Sequence, residues 1–231
     1  RVLFRSMTPY GAPMTWEPAP KPEMSAFRLA IDTIKQAKSD RNFQILFFTF
    51  FVCGLSTNGL IGTHFIPAAH DHGMAAPVAA SLLALVGVFD VIGTLASGYL
   101  TDKYDPRKLL FFYYGLRGLS LFLLPSILFE SVHPSTIVFV IFYGLDWVAT
   151  VPPTLILSRI VLGPGRGTIV YGWVFVAHQI GASVAAIGAA VLRVQFGDYA
   201  IAFYISAAMC LISALAVLQI AKGKTMSEIR V

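Results

Sequence analysis

Residues 75–101 read AAPVAASLLALVGVFDVIGTLASGYLT, and residues 102–108 continue DKYDPRK. Across the first 27 positions the only formal charge is Asp90, whereas the next seven carry five charges. A charge-free apolar run needs about 20 residues to cross the hydrocarbon core as a helix. This run exceeds that and ends abruptly in a basic loop, as a membrane-spanning helix does where it meets water.

The same reading extends over the chain. Its 231 residues are 56% hydrophobic and 13% charged, with a mean hydropathy of +0.71, whereas a soluble domain carries a charged fraction of about 25%. Low hydrophobicity with high net charge marks a disordered chain, and this composition is the reverse. Two cysteines cannot form the framework of a disulfide scaffold. Six apolar stretches emerge, at 43–69, 75–101, 109–129, 134–158, 167–192 and 199–221. The alternation of a membrane barrel is absent, and lipid leaves helices as the remaining way to satisfy the backbone. The expected fold class is an all-α membrane protein with six transmembrane helices.

Positively charged connections tend to remain cytoplasmic. One side of the six spans holds Arg28, Lys35, Lys38 and Arg41, then Lys103, Arg107 and Lys108, then Arg159 and Arg166, then Lys222, Lys224 and Arg230; the other holds Arg193. Both termini are therefore expected to be cytoplasmic, in the plasma (inner) membrane. The net charge of +5 is accounted for by topology and calls for no nucleic acid. Residues 1–42 read as a cytoplasmic linker: proline-rich over 8–22, then a short amphipathic helix between Ser25 and Arg41 near the inner leaflet. Residues 1–6 back-translate into a common sequencing adapter and are set aside; residues 222–231 read as a cytoplasmic tail. No signal peptide is expected in the first 42 residues.

Between the second and third spans, Gly98-Tyr-Leu-Thr-Asp102-Lys103-Tyr-Asp-Pro-Arg107-Lys108 resembles the loop signature of the major facilitator superfamily: a glycine, an aspartate four residues on, then basic residues. The family pattern has glycine soon after the first basic residue, where this chain has Asp105-Pro106. The signature follows the second helix of each six-helix half. The resemblance therefore implies that the spans are helices seven to twelve, the C-terminal half of a twelve-helix fold, with an N-terminal half lying upstream. Gly62-Thr-His64, Phe89-Asp90-Val-Ile-Gly93-Thr, Tyr113-Tyr-Gly-Leu-Arg117-Gly, Tyr143-Gly-Leu-Asp146-Trp147 with Pro152-Pro153, and Gly172-Trp173 with His178-Gln179 are similar to bacterial members grouped with monocarboxylate porters. Those porters carry an arginine one helical turn after the aspartate of the eighth helix, and here that position is Thr94. The resemblance further implies that the first, second, fourth and fifth spans line a cavity, and that Gly98, Asp102, Lys103, Arg107 and Lys108 form a gating charge network on the cytoplasmic side.

Ionisable groups inside a span are rare, face inward and are functional candidates by default. At 1.5 Å per residue, Arg117 lies about 12 Å from the inner end of its helix, His178 about 16 Å from its own, and Asp146 about 18 Å from its outer end. Asp90 lies deeper toward the cytoplasm. With Asn58, the residues Asp90, Asp146 and His178 are the expected substrate and proton pathway, His178 because its reference pKa suits proton coupling. Arg117, on a span that the resemblance makes peripheral, is expected either to form a structural ion pair with Asp90 or Asp146 or to join the pathway. His64, His70, His72 and His133 are read as solvated at the outer ends, and no metal or cofactor site is expected. Gly181, Ala185, Gly188 and Ala189, and Gly93 with Ser97, read as close helix contacts, Pro152-Pro153 as a bend in the fourth span, and Cys53 and Cys210 as free apolar thiols.

Secondary active transport of a small organic solute by alternating access is the leading expectation, the bilayer and the missing half being its partners. No P-loop is present to couple ATP. Two alternatives are a six-helix module without transport activity of its own, and an intramembrane hydrolase using Ser183 or Ser97 with His178. Ser183 is five residues from His178 on one helix, which places the two on different faces.

Overall fold

A computed structural model describes residues 25–163 and 165–221. The proline-rich 8–22 segment, the first six residues and the tail from residue 222, including Lys222, Lys224 and Arg230, lie outside the described residues.

Six helical stretches are long and apolar enough to cross a membrane: Arg41–Asp71, Ala76–Thr101, Pro106–Ser126, Pro134–Leu162, Gly167–Phe196 and Ala200–Val217. Each covers the centre of an expected span. Ahead of them, α1 (Ala26–Ala37) is capped by Ser25, whose side chain accepts from the Arg28 N–H. It rests against the fifth span, where Trp173 Nε1 donates to the Ala30 carbonyl at 2.9 Å and Arg166 pairs with Asp32 at 2.9 Å. Arg41 already belongs to the first span.

Local chemistry explains the boundaries. The Asp40 side chain caps α2 (Arg41–Gly54) by accepting from the Phe43 N–H, and Asp105 caps α5 (Pro106–Leu123) by accepting from the Arg107 N–H, each meeting an amide that has no partner within the helix. Proline stands in the first turn of α4 (Ala76–Thr101), of α5 and of α6 (Pro134–Asp146), where its missing N–H is no loss. Gly197 at φ 89° ends α8 (Gly167–Phe196) in the left-handed region open to glycine, before α9 (Ala200–Val217).

Two spans leave the α-helix in their interior, whereas the third only ends in a 3-10 turn, Leu124–Ser126. The first passes from α2 into a π-helical segment, Leu55–Ile61, and then α3 (Gly62–Asp71). The fourth breaks over residues 147–150 between α6 and α7 (Val151–Leu162). The bend expected at Pro152-Pro153 thus falls just before the prolines, which stand in the first turn of α7. Proline 153 cannot donate to the Ala149 carbonyl four residues back. Ser97 Oγ donates to that carbonyl instead, at 2.5 Å.

Close backbone approach joins the spans where small residues predicted it. A Cβ placed on Gly93 would lie 2.0 Å from the Leu145 carbonyl oxygen, and one on Gly181 2.0 Å from that of Phe51. Gly54 backs against the His178 carbonyl in the same manner. Gly188 differs from expectation, and Gly98 of the loop signature behaves alike: a Cβ on either meets nothing within 4 Å, so neither is needed for close packing within these six spans.

Buried apolar residues form two clusters. One, at the basic-flanked ends, includes Phe43, Leu46, Phe50, Leu110, Tyr114, Leu157, Val174 and Val217. The other, toward the opposite ends, includes Phe65, Leu82, Phe139, Val140, Phe203 and Ala207. The charged groups lie between them.

A methyl group at Gly93 must push the Leu145 backbone away, so Gly93→Ala should lose about 1–3 kcal/mol, the range for overpacking. Gly98→Ala should be neutral or gain up to about 1 kcal/mol, because a helical glycine is replaced in open space. Thermal unfolding of the two variants in detergent measures both.

Candidate functional site: a charged belt around a broken span

Breaking a helix inside lipid releases amides and carbonyls that water cannot reach, and each must find a partner within the protein. The break at 147–150 is met by three side chains from two neighbouring helices. Arg117, on α5, donates through Nε to Asp146 Oδ2 at 2.5 Å, and through Nη2 to the carbonyls of Asp146 at 2.6 Å and Trp147 at 3.2 Å. Asp90, on α4, accepts the Val148 N–H at 2.9 Å. Ser97, two turns further along the same helix, takes the Ala149 carbonyl. Three neighbouring side chains thus replace the missing turn.

Arg117 is 1% exposed and Asp146 7%, so the pair is desolvated on both sides. The expected ion pair is present, and its partner is Asp146 (2.5 Å). The placement differs from expectation, however: although Arg117 belongs to the third span, its guanidinium reaches the centre of the bundle. It also donates through Nη1 to Cys53 Sγ at 3.2 Å, and Cys53 contacts the Thr150 hydroxyl at 3.3 Å. Cys53 is therefore no apolar thiol; it joins the first span to the break, and nothing in its sequence neighbourhood announced this. Cys210 is buried and free.

Asp90 is half-buried and also accepts from Thr94 Oγ1 at 3.1 Å. Thr94 occupies the position where the monocarboxylate-porter pattern has arginine. Here it serves the aspartate and supplies no positive charge.

His178, 8% exposed, packs against the rings of Phe50 (centroids 5.4 Å apart) and Phe175 (5.3 Å, nearly parallel). Its Nδ1 and Asp146 Oδ1 are buried atoms without a hydrogen-bond partner among the described residues. Asn58 stands in the middle of the π-helical segment with its side chain exposed, while its backbone carbonyl accepts from Thr63 Oγ1 at 3.0 Å. Two tyrosines brace this wall: Tyr143 donates to the Ser56 carbonyl at 2.8 Å and Tyr114 to the Thr49 carbonyl at 2.7 Å. The structure therefore brings Arg117, Asp146 and Asp90 onto one break, places His178 on the facing helix, and leaves Asn58 on an open face. The polar run Ser56-Thr57-Asn58-Gly59 was the available sign of the irregular first span.

The loop at the basic ends is organised differently from the expected network. Asp102 is exposed and makes no side-chain hydrogen bond or ion pair among the described residues, because it sits at the exposed end of α4. Lys103 reaches back to Tyr99, and Lys108 is exposed. Arg107 forms the ion pair, with Asp105 at 2.7 Å, and donates to the Ile220 carbonyl at 3.0 Å, tying α5 to the end of α9. The hydrogen bonds that Arg107 donates to Asp105 hold its carboxyl below the usual carboxylate range.

On the opposite side His64 is buried, contrary to the solvated reading: its ring nitrogens contact the Tyr199 hydroxyl at 3.3 Å and the Ala186 carbonyl at 2.8 Å. Asp71 forms a two-point ion pair with Arg193, at 2.8 and 2.7 Å. Among the described residues no histidine, cysteine, aspartate or glutamate group is arranged to hold a metal. The Ser97 hydroxyl is committed to Ala149 and that of Ser183 to Gln179, so neither contacts His178.

Six apolar helices enclosing a buried ion pair define an integral, multi-pass membrane protein. The Major Facilitator Superfamily model matches residues 10–186 and 46–227, and the chain belongs to that superfamily. It is 29% identical over 123 residues to an uncharacterised MFS-type transporter of Bacillus subtilis, YcxA, covering 51% of this chain and 29% of that protein. It is 28% identical over 148 residues to monocarboxylate transporter 12 of Xenopus laevis (62% and 31%), and 29% over 161 residues to monocarboxylate transporter 13 of Rattus norvegicus (66% and 37%). The matched region spans about a third of each relative.

Asp90→Ala should lose about 1.5–3 kcal/mol, the contribution of a hydrogen bond to a charged group, by leaving the Val148 amide unpaired. Asp90→Asn retains an acceptor oxygen and should recover most of that loss. Unfolding in detergent, with amide exchange read at Val148, distinguishes them.

Proposed function

We propose that this chain is the C-terminal six-helix half of a secondary transporter that moves a small organic solute, a monocarboxylate or other organic anion, by alternating access driven by a proton or solute gradient. An upstream six-helix half completes it, and the basic-flanked ends, with both termini, face the cytoplasm. Superfamily membership and the two monocarboxylate-transporter relatives support this reading. The observation that carries it is the buried Arg117–Asp146 pair at a broken span.

Broken helices near mid-membrane are where transporters of this general kind build solute and ion sites. The spans' interior carries two carboxyls, Asp90 and Asp146, against one guanidinium, Arg117. One negative charge is left over, which suits the uptake of a proton. Arg117 already makes four bonds to its neighbours, so an anionic solute finds a free guanidinium only after Asp146 releases it. Protonation of Asp146 weakens that grip and coordinates proton uptake with anion binding. Asn58 on the first span and His178 on the fifth flank the route.

Proteoliposome uptake of radiolabelled monocarboxylates by the chain together with its upstream half tests this. Asp90→Asn, Asp146→Asn and His178→Ala should each lower proton-driven uptake about tenfold or more, the worth of a hydrogen bond to a charged group. Uptake unchanged in all three would overturn the site assignment.

A further inference from the structure

Where α1 turns into the first span, the two helices leave a groove of about 470 Å³ lined by Ile34, Lys38, Phe43, Gln44, Phe47, Phe48 and Phe51. Its walls are almost wholly apolar, and its polar groups are gathered at one end. From Phe43 to Phe51 it climbs eight residues, about 12 Å along the helix, from the basic-flanked end into the hydrocarbon layer. Phe43 is buried and forms the floor, Phe47 and Phe51 are half-buried, and Phe48 is exposed.

The rim is cationic. Lys38 lines it, Lys35 lies one turn earlier on α1, and Arg41 begins the next helix; all three are exposed. Neither lysine forms an ion pair among the described residues, and Arg41 bonds a neutral group, Gln219 Oε1, at 2.6 Å. The two nearby carboxylates are engaged elsewhere: Asp40 accepts from the Phe43 amide at 3.0 Å, and Asp32 pairs with Arg166. Gln44 Nε2 donates to the Lys38 carbonyl at 3.1 Å and fixes the lysine at the mouth.

We propose that this groove binds one anionic phospholipid, its phosphate held by Lys35 and Lys38 and an acyl chain laid against Phe47, Phe48 and Phe51. A basic rim at the headgroup level above an apolar channel running into the hydrocarbon matches a molecule with a charge at one end and a chain at the other. A soluble anion would leave the phenylalanines uncovered, and a neutral lipid would leave the lysines unmatched. The site lies at the basic-flanked ends, away from the charged belt, and does not depend on which solute is moved.

Delipidated protein in mild detergent, titrated with phosphatidylglycerol or phosphatidylcholine and read by native mass spectrometry, tests the proposal. Phosphatidylglycerol should be retained preferentially, and each of Lys35→Gln and Lys38→Gln should weaken its binding about fivefold, since a basic residue near a lipid surface contributes about 1 kcal/mol. Lys35→Arg with Lys38→Arg should preserve binding. Gln44→Trp, which fills the groove but keeps both lysines, should abolish it, and glycerol phosphate should not compete. Equal retention of the two lipids, wild-type binding by the lysine-to-glutamine variants, or full competition by glycerol phosphate would each overturn the proposal. Size-exclusion profiles and helical circular dichroism certify that every variant is folded.

Discussion

A backbone that leaves the helix within a membrane has no water to turn to, and this requirement organises the centre of the molecule. The fourth span opens at residues 147–150. Arg117 takes the carbonyls of Asp146 and Trp147, Asp90 takes the Val148 amide, and Ser97 takes the carbonyl that Pro153 cannot reach. The charges that make the interior polar are therefore the same groups that make the break tolerable. Removing one partner of a buried ion pair is far more damaging than replacing both, because the survivor stays charged and unsolvated.

This arrangement ties four spans together through one guanidinium. Arg117 stands on the third span, bonds the fourth through Asp146 and its neighbours, touches the first through Cys53, and through the break shares a partner segment with Asp90 of the second. A change in the protonation of either carboxyl is thus felt at several helix contacts together. Gly93 against Leu145, Gly54 against His178 and Gly181 against Phe51 are smooth contacts immediately beside it, where one helix can shift on another without a side chain to obstruct it.

Much of this could be read in the sequence. Span positions followed from hydropathy and length alone, since lipid imposes a minimum helix length and excludes charge. The ion pair followed from the scarcity of buried charges: with three in the spans, Arg117 had to meet Asp90 or Asp146. Choosing between them required the fold, because Asp90 is drawn away by the Val148 amide. Cys53 and His64 were misjudged for a common reason. Their roles come from partners distant in sequence, Arg117 in one case and Tyr199 and Ala186 in the other, and hydropathy carries no information about such contacts. In the Asp102 loop the motif was recognisable, while the pairing of Arg107 with Asp105, the residue that departs from the pattern, needed the fold to be seen. Gly98 and Gly188 show that small residues mark close contacts only when another backbone faces them.

Arg117 and Asp146 hold the broken span as a unit, which a double-mutant cycle tests. Unfolding free energies would be measured in detergent for Arg117→Met, Asp146→Leu and the double variant. The account predicts that each single substitution loses about 3–5 kcal/mol, because it strands a buried charge, and that the double variant loses clearly less than the two losses combined. Losses that add within about 0.5 kcal/mol, as independent sites do, would contradict it.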